Sequence, residues 1–336
     1  MKQFEIGQND AGQRLDRFVG KAVPLLPSSL AQKYIRLKRI KVNTKGAKRD
    51  TKLALGDTVQ MYVNDEFFEK PADENAFLRI SDPSLDIVYE DDDILLVNKE
   101  AGVLCHSDGG WSYATLIARI QAYLYSKREW RPRDENSFAP ALCNRIDRNT
   151  SGIVIAAKNA EALRIINEKI KQREIDKYYL TVVCGKPSPS SGRLEGQLFK
   201  DAVNNRVYVK GSPEKGTKTA ITEYRTLSTR NGLSLLECRL LTGRTHQIRA
   251  QLAAAGYPLL GDGKYGSEKD RRAYGEKGQL LCSYRLVFSF KSDAGVLNRL
   301  SEREFRVSAV DFAERYFPGF DYSAAVENLP AFSDYH

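Results

Sequence analysis

Reactive and metal-ligating side chains are scarce in this chain. Its 336 residues include five cysteines, with no Cys-x-x-Cys spacing, and three histidines that form no ligand cluster. Neither a structural zinc site nor a dithiol redox centre is therefore predicted, and we expect no bound metal. The odd number of cysteines and the lack of a signal-peptide pattern favour a reducing compartment, so we expect a cytoplasmic location.

Long apolar runs and nucleotide-binding motifs are also lacking. No stretch approaches the length that a membrane-spanning helix needs, so we expect no membrane partner. The glycine-rich segment at residues 261–266 lacks the Lys-Ser/Thr pair of a phosphate loop, and a structural turn explains it equally well. No motif implies a cofactor, and we expect none.

Positive charge is in excess. The formal net charge is +9, with an isoelectric point near 9.1, which favours a polyanionic partner. Hydrophobic residues make up 42% of the chain, which is sufficient for a folded core. A chain of 336 residues is long enough for two domains.

Basic residues are concentrated near the N terminus, where residues 33–52 contain nine Lys or Arg and a single acidic residue. The sequence predicts an amphipathic helix from Arg14, a second helix capped by Ser28 and Ser29, and then a strand. Taken alone, such a charge run fits a solvated face as well as a binding surface.

The order helix, helix, strand over residues 12–65 resembles the S4 RNA-binding domain. The resemblance implies that a basic helical face docks on the RNA backbone. The basic residues concerned are Lys33, Arg36, Lys38 and Arg39. Contacts of this kind give affinity and position rather than sequence recognition.

Residues 65–93 reverse the charge, with eleven Asp or Glu against two basic residues. Pro71 and Pro83 disfavour a helix in this stretch. We therefore predict an S4-like RNA-binding domain at residues 1–65, an acidic linker at residues 66–84 and a second domain at residues 85–336.

The most informative loop lies between two apolar runs, at residues 144–152. It reads Asn-Arg-Ile-Asp-Arg-Asn-Thr-Ser-Gly, and the β-branched run that follows predicts a buried strand. Asp147 is therefore expected at the edge of a sheet, beside two arginines whose guanidiniums suit phosphates and bases. Aspartate is also common as a capping residue in turns, so this loop alone does not assign it a catalytic role.

Two further motifs follow along the chain. Residues 177–185 read Lys-Tyr-Tyr-Leu-Thr-Val-Val-Cys-Gly, which predicts a strand whose two tyrosines face opposite sides. Packing alone can explain a tyrosine there. Residues 240–249 read Leu-Leu-Thr-Gly-Arg-Thr-His-Gln-Ile-Arg, and we expect a helix that begins at Arg244 and stops at Gly256.

The three motifs, in this order, resemble those of the RluA-type pseudouridine synthases. The resemblance implies that Asp147 is the catalytic residue, that Tyr179 stacks on the target base and that Arg249 pairs with the aspartate. It also implies that Ile248 packs in the base pocket. Arg145 would fill the space that the flipped base vacates or bind the neighbouring backbone.

The chain departs from the family pattern at three positions. Asn144 replaces a histidine, Glu100 replaces a proline and Gln251 replaces a second histidine. Residues 125–139 place basic side chains around Trp130, which fits either an RNA contact or a plain exposed loop. A lone histidine is more often structural, so His106 is not counted among the site residues.

The resemblance implies an α+β protein, in which a mixed, largely antiparallel sheet with flanking helices carries the pseudouridine synthase fold, plus the small S4 unit. The implied activity is isomerisation of uridine to pseudouridine in RNA, and we expect a monomer without a cofactor. We predict large-subunit ribosomal RNA as the substrate, with transfer RNA as the alternative. A non-catalytic RNA-binding or ribosome-assembly protein and a nucleobase-releasing hydrolase stay open, although the motifs hold no second carboxylate for hydrolysis.

Overall fold

A computed structural model describes residues 1–69, 77–107, 115–329 and 332. The helices are α1 (Leu15–Ala22), α2 (Ser28–Arg36), α3 (Leu116–Ser126), α4 (Ala160–Lys171), α5 (Gln247–Ala254), α6 (Glu268–Tyr274), α7 (Asp311–Tyr316) and α8 (Tyr322–Glu327). The strands are β1 (Lys2–Glu5), β2 (Ile40–Val42), β3 (Lys45–Gly46), β4 (Thr58–Met61), β5 (Ile87–Glu90), β6 (Ile94–Lys99), β7 (Ala141–Leu142), β8 (Ser151–Ala157), β9 (Ile175–Cys184), β10 (Ser191–Asp201), β11 (Arg206–Lys210), β12 (Thr217–Arg230), β13 (Leu233–Leu240), β14 (Leu281–Phe288) and β15 (Glu304–Arg306). Pro71, predicted to break helices, lies outside the described residues.

The N-terminal residues form a small four-stranded sheet in the order β1-β4-β2-β3, with α1 and α2 against it. The apolar side of α1 supplies Leu15, Phe18 and Val19 to a core of its own. The predicted cap of α2 is wrong, because the helix begins at Ser28 itself and Pro27 occupies the capping position without a side-chain hydrogen bond.

The second sheet has eleven strands and confirms the predicted α+β class. Its main path is β11-β10-β12-β13-β9-β14-β8-β6-β5, with β15 beside β14 and β7 beside β8. Within the described part of the chain, β8 and β14 form the one parallel pair, and the other strand pairs are antiparallel. Short turns join some of these antiparallel pairs, such as β5 to β6, β10 to β11 and β12 to β13.

Side chains of β6 and β8 alternate between two cores. Leu96 and Ile155 face a large core that also receives α4 and α7, whereas Leu95 and Val154 face a smaller core under α3. A strand covered on both faces needs a continuous apolar run, which is why the outgoing run after the central loop has no polar positions. The two cores make this pair of strands a rigid support for the loop between β7 and β8.

Polar contacts join the N-terminal sheet to the rest of the chain. The Ser137 hydroxyl donates to Asp10, while Gln13 Nε2 donates to the same hydroxyl at 2.9 Å and Asn136 Nδ2 donates to Asp10 at 2.8 Å. Asp10 is only 2% exposed, so its carboxylate is enclosed by these donors. Among the helices of the described residues, none is long and apolar enough to cross a membrane.

Candidate active site

A cleft of about 1350 Å³ opens where the central loop, the start of β9 and the start of α5 meet. It brings together five residues predicted from the motifs, namely Arg145, Asp147, Tyr179, Ile248 and Arg249. Its other basic lining residues are Arg148, Lys171, Arg173, Lys177, Lys200, Arg239, Arg244, Lys264 and Lys277. Such a wall concentrates positive potential and favours a polyanion in the cleft.

Hydrogen bonds from the last residue of β6 hold the central loop. The Lys99 ammonium is 1% exposed and donates to the backbone oxygens of Glu100, Val103 and Arg148, at 2.8, 2.8 and 2.9 Å. Burial lowers the pKa of Lys99 to about 8, although the nearby Cys105 and Asp147 act in the opposite direction. Lys99 therefore ties the residue after Asp147 to the sheet.

Gly152 marks the point at which the central loop enters β8. Its φ is +105°, and a Cβ placed there would lie 2.3 Å from the backbone oxygen of Ser283. The parallel pairing of β8 with β14 brings these two backbones together. Only glycine meets both requirements, so the Thr-Ser-Gly end of the motif serves backbone geometry.

Replacing Gly152 by alanine is expected to lower the free energy of unfolding by about 3 kcal/mol or more, because a positive φ and a backbone clash add together. Denaturant-induced unfolding measures it. Gly20→Ala is the matched control, since Gly20 is an exposed helical residue with no atom within 4 Å of its added Cβ. That change should stabilise by about 0.5–1 kcal/mol. Equal unfolding free energies for the two variants would contradict the argument.

Asp147 and Arg249 are 102 residues apart in the chain and in direct contact in the cleft. Arg249 Nη1 donates to Asp147 Oδ2 at 2.7 Å. The other side of the guanidinium is bound by Asp262, with Nε to Oδ2 at 2.7 Å and Nη2 to Oδ1 at 3.0 Å. Arg249 is thereby fixed as a fork between two carboxylates.

The two ends of this fork differ in exposure. The Asp262 side chain is fully buried, while a quarter of the Asp147 side chain is exposed to the cleft. Burial acts to raise the pKa of Asp262, but the bonds from Arg249 hold it below the usual value. The pKa of Arg249 is likewise raised by the two carboxylates against the effect of burial. Asp262 thus orients Arg249, and Arg249 orients Asp147.

Asp262 is the site residue that sequence reasoning missed. Its segment was explained as a glycine-rich turn, and the structure shows why the turn has glycines. A Cβ on Gly261 would lie 2.1 Å from the oxygen of Gly278, and a Cβ on Gly266 would lie 2.6 Å from the oxygen of Asp262. An aspartate between two glycines was the signal available, but the sequence does not show which charge it faces.

Tyr179 lies on the apolar wall of the cleft. It is 6% exposed and packs in one cluster with Ile248 and Leu281, with Ile146 of the central loop beside them. Tyr178 takes the opposite face, as predicted, with its ring 3.7 Å from the guanidinium carbon of Arg285. Burial raises the pKa of Tyr179 to about 12, so its phenol is neutral.

Helix α5 begins three residues later than predicted. Arg244 is not helical, because His246 has a left-handed backbone, with φ +52°, which a right-handed helix does not allow. Gln247 Oε1 accepts from the backbone nitrogen of Arg244 at 3.0 Å and from the Thr242 hydroxyl at 2.8 Å. The helix then starts at Gln247, and Gly256 follows its end with a φ of +89°, as expected for a left-handed residue after a helix.

Two departures from the family pattern have defined hydrogen bonds. Asn144 Oδ1 accepts from the backbone nitrogen of Ile155 at 2.8 Å, which closes the base of the central loop. Gln251 is buried, accepts from the Thr222 hydroxyl at 2.7 Å and donates to the oxygens of Leu194 and Ala220. Both side chains therefore stabilise the backbone around the cleft through hydrogen bonds.

The predicted RNA-contacting residues of the N-terminal sheet lie outside the cleft. They are all exposed on α2 and on the turn after it, at Lys33, Arg36, Lys38 and Arg39. The Trp130 ring is buried against Phe77 with centroids 5.1 Å apart, so it does not offer a face to a base, while the basic side chains around it are exposed. Arg145 is exposed at the rim of the cleft, and His106 is half-buried in its lining.

Known proteins match the part of the chain that contains the three motifs. Residues 93–254 match the family described as RNA pseudouridylate synthase. The chain is 32% identical to the ribosomal large subunit pseudouridine synthase C of Vibrio vulnificus, covering 80% of each protein. It is 31% identical to the protein of that name in Escherichia coli, covering 83% of this chain and 84% of the relative.

A third relative matches over almost the full length. It is an uncharacterized RNA pseudouridine synthase of Mycoplasma genitalium, 30% identical over 95% of this chain and 98% of its own. Among solved structures, human RNA pseudouridylate synthase domain containing 4 aligns with a TM-score of 0.52 over 67% of this chain and 89% of its own, at 20% identity. That structural likeness shows a shared fold.

Proposed function

The chain belongs to the RluA-type family of RNA pseudouridine synthases, and from this premise we propose that it isomerises a uridine of large-subunit ribosomal RNA with Asp147 as the catalytic carboxylate. The observation that carries the proposal is the bond from Arg249 to Asp147, at 2.7 Å. It leaves a carboxylate of fixed direction, partly exposed in a cleft whose wall is basic.

The chemistry requires no net change in composition. The bond from C1′ of the ribose to N1 of uracil breaks, the base turns, and C1′ bonds to C5 instead. The proton on C5 leaves, and N1 gains one. A single oriented carboxylate suits this sequence, whether it attacks as a nucleophile or stabilises the developing cation.

The target uridine must leave its stack in the RNA before it reaches Asp147. Flipping costs a few kcal/mol, and stacking on Tyr179 offsets roughly 1–3 kcal/mol of that. Ile248 closes the apolar side of the base pocket, and exposed Arg145 is placed to contact the RNA around the flipped nucleotide. In these roles the buried side chains contact the base, and the exposed side chain contacts the surrounding RNA.

Ribosomal RNA is the proposed substrate because two of the relatives are named ribosomal large subunit pseudouridine synthase C. Transfer RNA is the second candidate. The residues at 1–65 would be an S4-like RNA-binding domain, joined by an acidic linker at 66–84 to a catalytic domain at 85–336. Phe77 packs against Trp130, so part of the proposed linker is attached to the catalytic core.

The test is tritium release from RNA labelled at uridine C5, with ribosomal and transfer RNA assayed separately. Release above background from ribosomal RNA, with pseudouridine in the digested product and no free uracil, is the expected result. Release from transfer RNA alone would mean that transfer RNA, and not ribosomal RNA, is the substrate. Free uracil would indicate a hydrolase, and binding of RNA without release would indicate a non-catalytic protein.

The exposed basic residues of α2 and the following turn should contribute affinity through phosphates. Changing Lys33, Arg36 and Lys38 together to glutamine should reduce the slope of log binding constant against log salt by about 2–3, at roughly 0.7–0.9 per phosphate contact. Fluorescence anisotropy over a salt series measures it. Since these residues lie outside the cleft, the single-turnover rate at saturating RNA should be retained. An unchanged slope would argue for a merely solvated face.

A further inference from the structure

His246 occupies a strained position beside Asp147. It precedes α5 with φ +52° and ψ +22°, a left-handed conformation that L side chains adopt at a cost of about 1–3 kcal/mol. Its side chain is only 8% exposed and makes no capping bond to the helix. A strained histidine that does not cap its own helix is held there by other contacts.

Tyr265 is one of those contacts, and its hydrogen bonding favours one of the two imidazole tautomers. The Tyr265 oxygen lies 2.9 Å from His246 Nδ1. The same oxygen accepts from the backbone nitrogen of Val207 at 2.8 Å. The phenol is thus already an acceptor, and its own hydrogen is satisfied by donation to Nδ1. A neutral His246 then carries its hydrogen on Nε2.

His246 lines the cleft, with Nε2 on the side of Asp147. Nε2 lies 3.9 Å from Asp147 Oδ2, which is too far for a direct hydrogen bond. Oδ2 already accepts from Arg249. Burial lowers the pKa of His246, with Arg249 and Lys264 acting in the same direction against Asp147 and Asp262, so the neutral form prevails near pH 7. Among the residues that the structure describes, this neutral donor beside the carboxylate is given no acceptor.

We propose that His246 is a catalytic residue whose Nε2–H donates to a carbonyl oxygen of the target uracil, with Tyr265 as the positioning residue that fixes this tautomer. The inference rests on the proposed function. If Asp147 assists departure of the base, the electron pair of the C1′–N1 bond moves onto uracil. If Asp147 adds to C6 of the base instead, an electron pair of the carboxylate forms the new bond and the C5–C6 π pair moves toward the C4 carbonyl oxygen. Either route puts negative charge on a carbonyl oxygen, which a fixed donor stabilises.

Tyr265 also connects this donor to the rest of the site. It lies in the turn that holds Asp262, and its backbone nitrogen donates to Asp262 at 3.1 Å. Its ring lies 5.3 Å from the guanidinium carbon of Arg249. One turn therefore orients both Arg249 and His246, one on Asp147 and the other on the space beside it.

The test compares His246→Asn, His246→Gln and Tyr265→Phe in single-turnover tritium release. Asparagine tolerates a left-handed backbone, so folding should be preserved, but its amide is too short to reach the base. We expect a 10²–10³-fold lower rate with RNA affinity within threefold of wild type, since loss of one transition-state donor has this effect. His246→Gln, whose amide nitrogen extends further, should recover about tenfold. Tyr265→Phe should lower the rate by roughly tenfold and leave affinity unchanged.

The tautomer is measured separately, from the imidazole ¹⁵N shifts of the unbound protein. Protonation on Nε2 in wild type, and a tautomer mixture in Tyr265→Phe, are expected. Protonation on Nδ1 in wild type would overturn the proposal, as would His246→Asn at the wild-type rate or a loss confined to RNA affinity. An inactive wild type would overturn the proposed function and this inference together, whereas an active wild type with an active His246→Asn would overturn the inference alone.

Discussion

Asp147→Asn is expected to lower the rate of tritium release by about 10⁴-fold or more, because the amide keeps the shape of the side chain but cannot act as a nucleophile or stabilise a cation by charge. RNA affinity should be unchanged or tighter, since one negative charge leaves a basic cleft. The free energy of unfolding should change by about 1 kcal/mol or less, because the amide oxygen can still accept from Arg249.

The matched control is Asp176→Asn. Asp176 lines the same cleft, is 19% exposed against 25% for Asp147, and also accepts from an arginine, Arg239, at 2.9 Å. Removing the negative charge of Asp176 should leave the rate of tritium release within tenfold of wild type. Equal losses for the two variants would mean that charge in the cleft, and not the position of Asp147, determines the rate.

Arg249→Met is expected to have the largest effect on stability, together with a loss of activity. Asp262 would keep its backbone donors, from Lys264 at 2.8 Å and Tyr265 at 3.1 Å, but would lose its only guanidinium in a fully buried position. Removing one partner of a buried ion pair costs about 3–5 kcal/mol. Activity should fall as well, since Asp147 would lose the bond that orients it.

A double-mutant cycle separates the two consequences. Adding Asp262→Asn to Arg249→Met should recover part of the unfolding free energy, because the uncompensated charge is removed, but should not recover activity. Arg193→Met is the control for an exposed pair, since Arg193 and Glu195 are 38% and 53% exposed at 2.9 Å, and it should cost no more than about 1 kcal/mol. If the double variant is no more stable than Arg249→Met, Asp262 does not need its partner.

Much of the fold followed from local pattern. The β-branched run after the central loop predicted β8, and alternation in residues 177–185 predicted that only one of the two tyrosines faces the cleft. Gly256 was expected to end α5, and it does. The start of α5 was wrong by three residues, because His246 adopts a left-handed backbone that interrupts a helix beginning at Arg244.

The candidate site was predicted only as three separate motifs. The contact of Arg249 with Asp147 was expected from family resemblance, and the structure places the two side chains in contact. The role of Asp262 was not foreseen, since a turn explained its glycines. Trp130 was open to two interpretations until Phe77, more than fifty residues earlier in the chain, was found packed on its ring.

By itself, the sequence determined the features that depend on near neighbours or on composition. These are the alternation of the strands, the turn at Gly152, the excess of basic residues and the scarcity of metal-ligating side chains. Only the tertiary structure decided which charges meet and how they are oriented. A guanidinium bond depends on ångström-scale distances between residues far apart in the chain, and those distances are set by the packing of α5 and the turn at 261–266 against the large sheet. Local pattern carries no information about such distances, because many packings satisfy the same alternation of apolar and polar residues.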